Sequence, residues 1–185
     1  MLFSVVVARL VADEGLEAVS VRTVAAEARV SIGTVQHYFP TKEAMLLHAQ
    51  AQVNAAVKDR VDAAVAGVTD PREVLTAIAS ALLPTDVEST RVLRVSIAFQ
   101  ARALHSPVLA ERARRDDREL LAAVEELLRL GGAVQPALDA LGLVAIMGGL
   151  CQLSLTDGSA CSAQDAQTVV DRYLKAVLPA AASEL

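Results

Sequence analysis

From the N-terminus the apolar side chains fall at Phe3, Val6, Val7, Leu10 and Val11. That i, i+3, i+4, i+7, i+8 spacing puts them on one face of an α-helix. The same period returns down the chain, and no stretch shows the strict alternation of a half-buried strand. Start and stop signals cut the pattern into helix-length pieces. Gly15 reads as a left-handed cap that ends the first. Ser20 caps a second, with Val19 and Val24 placed as a hydrophobic staple, and this helix runs to Ala28. Ser31 caps a short third helix that Pro40 ends. Thr41 caps a long fourth, from Lys42 to Ala66. Asp70-Pro71-Arg72-Glu73 opens a fifth with an N-cap, a first-turn proline and an acid at the third position. Pro84 breaks that helix. Asp86 opens a sixth, Ser106-Pro107 a seventh that ends at Gly131-Gly132, and Pro136 an eighth. Asp157-Gly158 reads as a turn, after which Ser162 with Asp165 starts a ninth helix, stopped by Pro179.

The chain predicted from this is all-α, with short helices first and long ones after. The expected division is residues 1–46 as a three-helix domain with helix-turn-helix framing and 47–185 as a second helical domain. At 185 residues, 54% of them hydrophobic, the chain has enough apolar surface for a real core and is not disordered. The net charge of −5 excludes attraction to nucleic acid by the whole molecule. Even in the first 50 residues the cations Arg9, Arg22, Arg29 and Lys42 are outnumbered by Asp13, Glu14, Glu17, Glu27 and Glu43. Any DNA binding must rest on a few local contacts. Cys151 and Cys161 form no CxxC pair and no metal-ligand spacing, so no metal or other cofactor is expected. The first residues read as a helix, not a signal peptide. The longest apolar run, Leu141 to Cys151, is short for a bilayer. A soluble, cytoplasmic protein without a membrane partner is the expectation.

The segment SIGTVQHYFPTKE, residues 31–43, carries the functional signal. At 100° per residue Val35 and Phe39 point one way, flanked by Ile32 and Tyr38. Gly33, Gln36 and His37 point the other way, with Thr34 on a shoulder. Two apolar residues dock the helix, and the opposite face offers short, uncharged hydrogen-bonding groups. Such groups read base edges: Gln pairs with adenine, Thr offers a hydroxyl or a methyl, and His donates to guanine acceptors or phosphate. Gly33 lets a partner come close to the backbone. Lys42 stands in the first turn of a helix, where the macrodipole is already positive. A phosphate at that place resolves the conflict, held by Lys42, the free amides and the Thr41 hydroxyl. Tyr38 adds a hydroxyl for the backbone, and Ser20 and Thr23 are placed to hold a phosphate across the groove.

The segment GLEAVSVRTVAAEARVSIGTVQHYFPTKEAML, residues 15–46, resembles the DNA-binding segment of the tetracycline-repressor (TetR) family of bacterial transcriptional regulators. The tail Thr34-Val35, His37-Tyr38-Phe39, Lys42-Glu43 carries most of the likeness. The resemblance implies Thr34, Gln36 and His37 at bases, and Ser20, Thr23, Tyr38 and Lys42 at phosphates of a double-stranded operator. The sequence departs from the family at Arg29, where the turn usually has Gly, and at Ile32, where Lys or Arg is frequent. The basic arm that usually precedes the first helix is also absent from it. A left-handed Arg costs roughly 1 kcal/mol, so either the turn differs or Arg29 reaches a phosphate.

The resemblance also implies a ligand-binding and dimerisation domain. Helices five to seven would enclose a small-molecule effector, and helices eight and nine would pair with a second copy. Arg94, Phe99, Gln100, Arg102 and His105 on the sixth helix, with Met147 and Gln152 on the eighth, are the pocket candidates. Phe99 reads more readily as core and Arg102 as a surface charge, and His105 reads also as a helix end. Leu141, Val144, Ala145, Gly148 and Cys151 with Val170, Leu174, Val177 and Leu178 are the dimer candidates. Gly148 stands where a common subgroup has Asp. Beyond residue 45 only Phe99 and Tyr173 are aromatic, which disfavours a cage for a quaternary amine and favours an apolar or weakly polar effector. The expected function is a dimeric, ligand-released repressor, not an enzyme. Two alternatives stay open: a helical-bundle binding protein or enzyme, and an interaction protein whose helix-turn-helix no longer binds DNA.

Overall fold

A computed structural model describes residues 2–156 and 161–179. Those residues form α1 (Leu2–Glu14), α2 (Val21–Ala28), α3 (Ile32–Tyr38), α4 (Lys42–Val65), α5 (Pro71–Leu82), α6 (Val87–Ala103), α7 (Pro107–Leu130), α8 (Pro136–Thr156) and α9 (Ala163–Val177). A single 3₁₀ turn, Leu16–Ala18, follows α1, and no strand occurs among the described residues. The Asp157-Gly158 turn lies outside them.

The helix starts follow their caps. Ser20, Ser31, Asp70, Asp86 and Ser162 each accept the amide three residues on, and Thr41 accepts that of Ala44 at 3.0 Å. Gly15 has φ 85° and ψ 169°, an extended left-hand region rather than the helical one, and the chain goes on into the 3₁₀ turn instead of a plain loop.

Packing divides the chain into Met1–Asp59 with Asp86–Ala113, and Arg60–Thr85 with Arg114–Leu185. The sequence expectation places a boundary at 46/47, from helix lengths. In the first unit α1 packs on α2 and also on α6. Val95 and Phe99 of α6 join Val6, Val7, Leu10, Val19, Val24, Val35, Phe39 and Met45 in one buried cluster. The sixth helix is therefore part of the core beneath α1–α3. Its amphipathic face was plain in the sequence, but the face alone does not say which helices it meets.

In the second unit α9 packs on α5 and α8. Tyr173 donates its hydroxyl to the Asp139 carbonyl at 2.9 Å, and Ser80 donates to Gln167 Oε1 at 2.6 Å. Arg72 ties the start of α5 to the carbonyl groups of Leu178 and Pro179. By length and composition alone Pro136–Leu155 of α8 is long and apolar enough to cross a bilayer, while its unbroken apolar run, Leu141 to Cys151, is shorter.

Candidate nucleic-acid interface

The first unit presents α3 at its surface. Ser31 accepts the Thr34 amide at 3.0 Å, and Val35 is fully buried while Phe39 is nearly so. Gly33, Gln36 and His37 are exposed, as the 100° period requires. The Tyr38 ring is 63% exposed and lies 5.4 Å from Phe3 and 5.6 Å from His37, centre to centre. Those neighbours fix the ring, and its hydroxyl makes no hydrogen bond among the described residues.

Three hydroxyls behave differently from one another. Thr23 Oγ1 donates to the Ala18 carbonyl at 2.8 Å and accepts the Ser20 amide at 2.8 Å. Its proton points to the Ala18 carbonyl and its oxygen accepts the capping-box amide, so Thr23 holds the start of α2 in place. Ser20 Oγ accepts the Thr23 amide at 3.1 Å and lies 3.1 Å from Thr23 Oγ1, to which it donates when the Thr23 proton goes to Ala18. Thr34 is half-buried, with its Oγ1 2.8 Å from Ser31 Oγ, so it contributes to the reading face less freely than Gln36 or His37. The sequence does not show this because Ser-x-x-Thr, as at Ser20 and Thr23, reads only as a cap.

Lys42 is exposed in the first turn of α4, and the first amides of a helix lack intrahelical acceptors. Glu43 beside it is held by Ser106, which donates to Glu43 Oε1 at 2.6 Å. Glu27 pairs with Arg9 across α2 and α1, and Glu17 lies 4.0 Å from Arg102. Three of the five acids counted against DNA binding are thus engaged within the unit. Arg22, Arg29 and Lys42 are exposed cations. Arg29 has φ 55° and ψ 43°, the left-handed conformation its glycine-like position calls for.

The other candidate residues fall in two places. Arg94, Gln100 and His105 are exposed in the first unit, as is Arg102 beside Glu17. Phe99 is 1% exposed and packed in the core cluster, so it does not line an accessible site. Met147 is half-buried and Gln152 exposed in the second unit.

Of the dimer candidates, Val170, Leu174 and Leu178 are buried inside the second unit, and so is Cys151. They are the inward face of α8 and α9, and cannot offer surface to a second copy. Burial pushes the Cys151 thiol above its ordinary pKa, aided by the nearby Cys161 thiol. Val144 and Val177 are half-buried. The outward strip of α8 is Leu138, Leu141, Ala145, Gly148 and Gln152. Among the described residues no three His, Cys, Asp or Glu side chains converge as a metal site.

A short exposed helix behind a tight turn, docked by two buried apolar residues and flanked by anchors, is the frame of a helix-turn-helix DNA-binding protein. Comparison with known proteins narrows this. The model of "Bacterial regulatory proteins, tetR family" matches residues 7–49, and that of "BetI-type transcriptional repressor, C-terminal" matches residues 71–179. The HTH-type transcriptional regulator BetI of Stenotrophomonas maltophilia is 32% identical over 171 residues, covering 91% of this chain and 87% of that protein. A transcriptional regulator from Rhodococcus sp. Rha1 superposes with a TM-score of 0.88 at 30% identity, over 95% of this chain and 94% of its own. One from Saccharomonospora viridis, solved in complex with choline, also gives 0.88 at 22% identity, over 97% of both chains, and supports the fold alone. The chain belongs to the TetR family of bacterial transcriptional regulators, which are not enzymes.

Proposed function

We propose that this regulator is a repressor that binds a near-palindromic operator as a dimer, α3 of each subunit entering a major groove. The observation that carries the reading is the outward presentation of Gln36 and His37 on a helix whose opposite face, Val35 and Phe39, is buried. Gln36 and His37 meet base edges. Ser20, Tyr38 and Lys42 hold phosphates, and Arg29 adds an exposed cation beside them. Half-sites on the order of 34–36 Å apart suit a two-fold dimer.

Dimerisation is supported by the outward face of α8. Leu138 is 65% exposed and Leu141 55%, with Ala145, Gly148 and Gln152 continuing the stripe. A Cβ at Gly148 would meet nothing within 4 Å, so a second helix can approach closely there. An isologous pairing along this stripe hides it from water. The protein acts where the genome is, in the cytoplasm.

An effector releases the operator, in this reading, and it is apolar or weakly polar. A choline cage needs free aromatic faces. Phe99 is buried in the first unit, and the Tyr173 hydroxyl is committed to Asp139. Millimolar choline should leave the melting temperature unchanged. A ligand bound well below its concentration would raise it, and such a rise contradicts this choice of effector. Selection of bound duplexes from a random pool tests the main reading. Enrichment of an inverted repeat with half-sites one turn apart supports it, and recovery of unenriched sequence overturns it.

A further inference from the structure

Ser106 is 5% exposed, yet its hydroxyl reaches a side chain 63 residues away in sequence. It donates to Glu43 Oε1 at 2.6 Å while accepting the Leu109 amide at 3.4 Å as the cap of α7. Glu43 is the residue next to Lys42, in the same first turn of α4. The start of α7 and the phosphate-facing start of α4 are therefore joined by one short, charge-assisted bond within the first unit.

The Thr41 cap shapes this turn locally but does not fix where the turn stands in the unit. Met45 and Leu46, buried just after it, anchor the helix in the core. Electrostatics makes Glu43 a poor neighbour for DNA, because its carboxylate repels the phosphate that Lys42 attracts. A residue with that cost needs another role, and the Ser106 bond supplies one.

We propose that Glu43 and Ser106 are positioning residues for DNA binding: their hydrogen bond sets the first turn of α4 so that Lys42 and Thr41 meet the phosphate backbone. The inference rests on the reading of Lys42 as a phosphate anchor. It predicts an effect opposite in sign to simple charge. Removing Glu43 takes a negative charge from beside the DNA and should tighten binding if charge alone mattered. Through the broken bond it should weaken binding instead.

The test uses the full chain, the duplex recovered from the random-pool selection and a scrambled duplex of equal length. Glu43→Ala and Ser106→Ala should each weaken both duplexes by a similar factor, about tenfold, the scale of one charge-assisted hydrogen bond. Ser106→Thr, which keeps the hydroxyl, should restore binding. Glu43→Ala leaves the Ser106 cap of α7 in place, so it remains informative if Ser106→Ala proves poorly folded. In a Lys42→Ala background the further loss from either change should nearly vanish, which a general loss of stability does not produce. Tighter binding by Glu43→Ala, or losses that simply add to that of Lys42→Ala, overturns the inference alone. A Lys42→Ala protein with wild-type affinity and salt dependence removes the phosphate reading, and the inference with it.

Discussion

Arg29 carries a local cost that the rest of the helix-turn-helix does not. At φ 55° its Cβ crowds the following carbonyl, a conflict glycine lacks. The turn takes the left-handed conformation and accepts the strain, and Arg29 is left exposed. Arg29→Gly should raise stability by up to about 1 kcal/mol, offset in part by the greater freedom of glycine in the unfolded chain. Thermal melting checks this, and a lower melting temperature would contradict the assignment. If Arg29 also meets a phosphate, the same variant should bind all duplexes less tightly while melting later. At this scale the sequence was legible where chemistry is local. Gln36 and His37 face outward because a seven-residue helix with Val35 and Phe39 buried leaves them nowhere else to go. The commitments of Thr23 and Thr34 were not legible, because a hydroxyl in a cap can keep or spend its proton with the same sequence spacing.

The helices were read well at their ends because each cap is settled within four residues. Which way a helix faces is settled by distant partners, and there the sequence misled. Both faces of α8 are apolar, so its spacing could not separate the inward Leu143, Leu150 and Cys151 from the outward Leu138 and Leu141. On α9 the residues taken for an interface, Val170, Leu174 and Leu178, prove to be the core itself. The packing of α8 on α9 has a tight point at Gly142. A Cβ there would stand 2.2 Å from the Tyr173 hydroxyl, which is bonded to Asp139 on the same helix. Gly142→Ala should cost about 1–3 kcal/mol, because the rigid ring must move and give up that bond. Urea unfolding measures it, and an unchanged midpoint would show that the two helices pack more loosely than described.

For the whole molecule, the proposed function depends on pairing two α3-bearing units at a fixed spacing. Leu141 is exposed in the single chain, so Leu141→Glu should leave the fold intact. Across a two-fold axis it sets like charges against each other, and sedimentation should show monomers where the unaltered chain forms dimers. A dimer that persists would move the interface off this stripe. Glu27, Glu43 and Glu17 of the first unit each have a partner in Arg9, Ser106 and Arg102. The division of labour between α3 and the start of α4 is the central claim. Its most direct test compares the base preference and salt dependence of two variants on the selected operator. Gln36→Ala with His37→Ala should flatten the preference, at about 1–3 kcal/mol for each base edge no longer read. Lys42→Ala should weaken every sequence alike and reduce the salt slope by an amount equivalent to roughly one neutralised phosphate. A double variant that keeps the full base preference, or a Lys42→Ala protein that changes it, would contradict the account.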